Sequence, residues 1–124
     1  MLKTIAAVAA GFLLGAASQK HQVARMWHGK VPLAKADEYQ RYLYDSGLKQ
    51  LKAIPKNEGV EMLRRDDGEN AEFVVISYWP DKDAIHAYAG KDIDHVHDMP
   101  RDAEYLGPDR EKLVKHFEVI AFEK

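Results

Sequence analysis

The chain has no cysteine among its 124 residues. That absence excludes a catalytic thiol, an iron–sulfur cluster, thiolate-bound zinc and any disulfide framework, and with them anchoring through a lipobox cysteine. It fits the cytosol and the periplasm equally. Nor is there an excess of positive charge: 18 Lys and Arg stand against 20 Asp and Glu, for a formal charge of −2. A nucleic-acid partner requires a basic stripe to neutralise phosphates. Here the basic residues are dispersed, and the one arginine pair, Arg64-Arg65, is followed at once by Asp66-Asp67. No phosphate-cradling glycine loop, Ser-His-Asp order or paired-carboxylate motif stands out. There is no internal repeat.

What is present suffices for one domain. The length falls in the usual single-domain range of roughly 100–150 residues. A content of 46 % apolar residues can build a core, and 31 % charged residues can keep its outside in water. Composition changes sharply near Gln19. Residues 1–18 carry a single charge, Lys3, followed by the apolar run from Ile5 to Ala17. A short basic start, about 7–15 apolar residues and small residues at the end describe a secretory leader. Cleavage is expected after Ala17 or Ser18, leaving residues 19–124 as the domain. The alternative is an N-terminal helix packed on the body or on a partner chain. The run is too short to span a bilayer, which takes about 20 residues, so no stable membrane insertion is expected. A cleaved leader implies a periplasmic or secreted protein, an uncleaved one a cytoplasmic protein.

From His21 the pattern has a period of two, with Val23, Arg25, Trp27 and Gly29 on one side and Ala24, Met26 and His28 on the other. That marks a first strand, ended by Pro32. From Lys35 the period becomes helical, with Tyr39, Tyr42-Leu43, Gly47, Gln50-Leu51 and Ile54 along one stripe. Gly47 weakens this helix by roughly 1 kcal/mol relative to Ala, so something should pack closely there. Residues 60–65 and 72–79 read as strands joined by a hairpin at Asp66–Asn70, with Gly68 at positive φ. Pro80-Asp81 opens a second helix through about Ala89, with Asp81 as N-cap and Gly90 as its C-terminal stop. An irregular stretch, Ile93 to Arg110, precedes a last strand over residues 112–122. The order β-α-β-β-α-β predicts an α+β, ferredoxin-like fold: a four-stranded antiparallel sheet with the helices on one face. The uncovered face would expose an apolar patch that soluble monomers rarely show. Pairing of two sheets in a homodimer, a dimeric α/β barrel, is therefore expected.

Val23-Ala-Arg-Met-Trp-His-Gly29, Lys35-Ala-Asp-Glu-Tyr39, Gly59-Val60 with Leu63-Arg64-Arg65, and Ala71-Glu-Phe73 leading to Ser77-Tyr-Trp79 resemble the antibiotic biosynthesis monooxygenase (ABM) domain family. The resemblance spans roughly Val23 to Phe122. It implies a dimeric α/β barrel with a pocket between sheet and helices. Some members of that family oxygenate polyaromatic substrates without metal or flavin, others degrade heme, and many have no demonstrated activity. The chain is similar to the heme-degrading branch around Trp79, Ala84-Ile85 and Tyr88. That branch holds the heme iron through a late histidine, for which His97 is the candidate here, with His95 nearby. Its first-strand asparagine is replaced by Met26 or a near neighbour.

The residues themselves leave several assignments open. Six histidines are many for a small domain. An imidazole titrates near neutrality and can act as a base or as a ligand to a metal or heme. His28, His86, His95, His97 and His116 are candidates, each with the alternative of an ordinary hydrogen-bonded or surface role. His95-Val-His97 invites a metal, yet on a helix the two rings would point about 200° apart. A closed zinc site would also need a third strong donor, so no metal is assigned. Trp27 reads as core or dimer interface, and Trp79 as core or pocket wall. Of Tyr42, Tyr78, Tyr88 and Tyr105, Tyr88 is the one expected in the pocket. Arg64-Arg65 is read as structural, with Glu72 or Glu118 as acid partners.

The expected function is an ABM-like monooxygenase acting on a small aromatic or hydrophobic molecule. His97, His86 and Trp79 are the catalytic candidates, and His28, Trp79, Tyr88, His95 and His116 the pocket wall. It requires either no cofactor or heme. The alternative is a non-catalytic protein of the same fold that binds heme or another small ligand; a pure interaction module is weakest, since no groove or exposed edge suggests one.

Overall fold

The computed structural model describes residues 22–124; the expected leader, residues 1–18, lies outside them. Four strands, β1 (Val23–Pro32), β2 (Gly59–Asp67), β3 (Asn70–Trp79) and β4 (Lys115–Glu118), form one antiparallel sheet in the order β2-β3-β1-β4. The fold is the expected α+β ferredoxin-like one. β3 alternates between buried and half-buried residues along its length, because successive side chains point to opposite faces. Ala71, Phe73, Val75, Ser77 and Trp79 face the helices, and Glu72, Val74, Ile76 and Tyr78 the other side. The hairpin between β2 and β3 is tighter than expected, because pairing continues to Asp67 and Asn70. Its loop is then Gly68-Glu69, and Gly68 takes φ 66°, as the first residue of such a turn can require.

The first helix is continuous but not uniform. A 3₁₀ turn (Leu33–Lys35) leads into α1 (Ala36–Leu43), a π-helical turn (Tyr44–Leu48) and α2 (Lys49–Ala53). The π turn contains Gly47, and an added Cβ there would lie 3.3 Å from a methyl of Leu43 and 3.4 Å from the Met99 sulfur. That is the close packing the glycine predicts. The second helix is shorter than expected, a 3₁₀ turn (Asp83–Ile85) and then α3 (His86–Ala89). Asp81 does cap it, accepting a bond from the Ala84 N–H at 2.9 Å, and Gly90 ends it at φ 79°.

Two expectations are corrected. The stretch from Ile93 to Arg110 contains a helix, α4 (Asp102–Leu106), whose Asp102 and Tyr105 are buried. The last strand is four residues long, not eleven. Beyond Glu118 its partner strand has ended, and Ile120 and Phe122 are 82 % and 69 % exposed. Before Lys115 the chain pairs elsewhere: Val96 N–H bonds to Lys112 O, Val114 N–H to Asp94 O, and His95 faces Leu113.

The core lies between the sheet and α1–α2, with Tyr39, Phe73, Trp79, Ile85 and Tyr105 buried at its centre. Tyr39 stacks edge-on to Phe73 at 5.3 Å and tilted on Tyr105 at 5.1 Å. Both arginines of the pair are structural in position: Arg65 meets Glu72 at 2.8 Å, and Arg64 meets Asp37 and Asp66 at 2.8 Å. No helix among the described residues is long and apolar enough to cross a membrane.

Candidate functional site

A cleft opens between the helix-facing side of the sheet and the first helix. Its floor comes from two antiparallel neighbours in register, Arg25 opposite Ser77 and Trp27 opposite Val75. Leu43, Gly47, Leu48 and Leu51 form the roof, and Tyr88, Met99 and the buried Asp102 complete the wall, with the exposed His97 at the mouth. The free space inside is about 30 Å³. That is room for a water molecule or two, against the roughly 300–1,000 Å³ of a typical ligand pocket.

The Trp27 ring lies flat along the floor because Gly29, two residues on and on the same face, has no side chain. A Cβ on Gly29 would come within 2.4 Å of the indole. Trp79, fully buried beside the cleft, donates its Nε1–H to Ser77 Oγ at 2.9 Å. That bond satisfies an indole that otherwise could not be buried cheaply.

Arg25 is a charged residue in an apolar floor, only 4 % exposed. Its guanidinium donates to the carbonyls of His95 at 2.9 Å and Ile93 at 3.4 Å, and lies 5.5 Å from the centre of the Tyr88 ring. Burial lowers its pKa, with Tyr88 and Asp94 opposing. Asp102 accepts the Met99 N–H at 2.8 Å through Oδ2. Burial raises its pKa, and the Met99 bond opposes that rise. Arg25 Nε and Asp102 Oδ1 are buried without a hydrogen-bond partner among the described residues. The Tyr88 phenol is also pushed up by burial, while the Arg25 charge pulls it back. The exposed His97 ring rests on Tyr88, their centres 4.5 Å apart.

Of the residues singled out from sequence, Tyr88 and His97 meet at this cleft. The others lie elsewhere. Trp79 is behind the wall. His86 is exposed, and its Nδ1 bonds to the Gly90 carbonyl at 2.7 Å, which makes it a helix-end contact. His95 sits outside, its Nδ1 3.2 Å from Val96 O. His116 is half-buried on the edge strand β4, 3.2 Å from Asp94, and burial lowers its pKa. His28 lies on the opposite sheet face, because it is odd in register with Arg25 and Trp27. There its two ring nitrogens contact Glu72 at 2.5 Å and Glu111 at 2.7 Å. Among the described residues no group of three or more His, Asp or Glu is placed to hold a metal ion.

Arg25, Trp27, Met99 and Asp102 were not singled out as site residues from the sequence. For Arg25 a signal existed: a charge at an inward position of an alternating strand must have a buried partner or a role. Met99 and Asp102 come from a segment with no legible period.

No protein-family model matches the chain, and no curated protein does. Solved structures do match in fold. The heme-degrading protein of Mycobacterium tuberculosis, in a heme-free form, is 21 % identical, with a TM-score of 0.55 over 83 % of this chain and 99 % of that one. The same protein, MhuD, with two hemes bound in its active site, is 19 % identical, with a TM-score of 0.56 over 82 % and 99 % of the two chains. These likenesses establish the fold that this chain shares.

Proposed function

We propose that the chain is a heme-binding protein of the ABM type that degrades heme as its substrate, with His97 as the ligand to iron. The observation that carries this is the His97 imidazole, exposed and seated on Tyr88 at the mouth of an apolar cleft. The cleft has the chemistry a porphyrin needs: Trp27, Leu48, Val75 and Met99 offer apolar and aromatic contact. A neutral imidazole nitrogen is a standard iron ligand. Heme, once bound, supplies the iron at which oxygen is activated. The chain's own residues bind the macrocycle, orient it and exclude water. The free space of about 30 Å³ is far too small for a porphyrin, so binding requires the cleft to widen. What supports heme over a small aromatic substrate is the bound heme of the structural neighbour.

Titration of the purified protein with hemin, followed by absorbance, tests this reading. A saturable Soret band that His97→Ala abolishes or shifts is expected. Absence of saturable binding would remove the heme reading. Loss of the band when reductant and oxygen are added to the complex separates a degrading enzyme from a carrier.

A further inference from the structure

We propose that Arg25 is a positioning residue, holding the 93–97 segment, and with it His97, against Tyr88 from inside the cleft. A guanidinium does not belong on the inward face of a strand without a reason. Arg25 is the third residue of β1, between Val23 and Trp27 on an inward face, and 4 % exposed. Burying a cation there costs free energy unless its donors are used. One of its nitrogens is used, on a single target. The same terminal nitrogen, Nη2, reaches the carbonyls of Ile93 and His95, and no carboxylate pairs with it in a salt bridge among the described residues.

That target has little else to hold it. Residues 91–97 form no helix or strand. Their backbone ties are Val96 N–H to Lys112 O, Val114 N–H to Asp94 O and a longer turn bond from His95 N–H to Asp92 O. The first two fasten the segment to the C-terminal chain from outside; Arg25 fastens it to the sheet. Tyr88 lies over the guanidinium at 5.5 Å and carries His97 at 4.5 Å. Arg25, Tyr88 and His97 thus form one stack in which the cation fixes both the ring and the segment that follows it. Nε is buried without a partner, so the closed arrangement leaves one donor unsatisfied.

The inference rests on the heme reading only for what His97 does, and the test separates the two. In the protein without hemin, Arg25→Met should raise amide hydrogen exchange at His95 and Val96 by about tenfold or more, the factor carried by one charge-assisted hydrogen bond. Exchange at Val75 in β3 should stay unchanged, which a general loss of stability would not allow. With hemin, the same variant should bind about tenfold more weakly, with a Soret band displaced toward that of His97→Ala. The double variant should be no weaker than His97→Ala alone. Parental exchange at His95 and Val96 in Arg25→Met would overturn the proposal. If the parent takes up no hemin, the heme reading fails while the exchange result still decides the role of Arg25. Should Arg25→Met not fold, Arg25→Gln, a neutral donor too short for both carbonyls, carries the same expected and refuting results.

Discussion

Gly29→Ala puts the packing of the cleft floor to a direct test. The backbone at Gly29 is ordinary strand, so an alanine incurs no conformational strain there. The added methyl, however, would stand 2.4 and 2.6 Å from two ring carbons of Trp27 and 3.0 Å from a methyl of Leu106. The indole is rigid and lies between β1 and the cleft, so it must tip into the free space. Overpacking of this kind costs about 1–3 kcal/mol. Restricting the unfolded chain by replacing glycine returns about 0.4–1 kcal/mol. The net loss is about 1–2 kcal/mol, or roughly 5–15 °C in Tm for a domain near 100 residues. Thermal denaturation followed by circular dichroism measures it. Fluorescence should shift as well, since one of the two tryptophans moves. In a Trp27→Phe background the smaller ring should make room, and Gly29→Ala should cost measurably less. An equal cost in both backgrounds, or a variant as stable as the parent, would refute the steric argument.

The histidines should give stability a two-sided pH dependence. Partial burial draws the His28 pKa down, but its bonds to Glu72 and Glu111 outweigh that and hold it above the ordinary value. The stabilisation is therefore complete below pH about 6.5 and lost as pH rises through the raised folded-state pKa. Being partly solvated, it is worth at most about 1 kcal/mol. His28→Gln should remove this alkaline decline in a Tm series, and a parental curve flat from neutral to mildly alkaline pH would contradict it. His116 has the opposite sign: burial and then the Arg25 charge lower its pKa, so stability is lost as pH falls below about 6.5 through the lowered value. We also propose that two copies pair through the sheet face bearing Met26, Leu63, Val74, Ile76 and Phe117. Light scattering should then give twice the chain mass, falling to one chain in Ile76→Arg; a monomeric parent at high concentration would sink the pairing.

Much of the fold was legible because it rests on local periodicity. Alternation in β1 and β3, the stripe from Tyr39 to Leu51, the Asp81 cap and the Gly68 turn are each written in neighbouring residues. The errors fall where local pattern is silent. Residues 112–122 read as one long apolar strand, yet Lys112–Val114 pair with residues 94–96, and beyond Glu118 a single bond from Val119 N–H to Gln22 O ends the pairing. Helix α4 is short and held by Asp102 and Tyr105 through tertiary contacts, so no stripe announces it.

The site divides in the same way. By itself the amino-acid sequence determined that the chain has no thiol chemistry, that a βαββαβ sheet forms, and that Tyr88 and His97 belong to its second half. Only the tertiary structure decided which histidines share a space. A one-residue difference in strand register sends His28 to the opposite face from Trp27, and a helix-end carbonyl engages His86. The cleft is built from Arg25, Trp27, Ser77 and Asp102 as much as from His97, because side chains far apart along the chain meet only where strand pairing and helix packing bring them together. Spacing along the chain carries no record of those contacts.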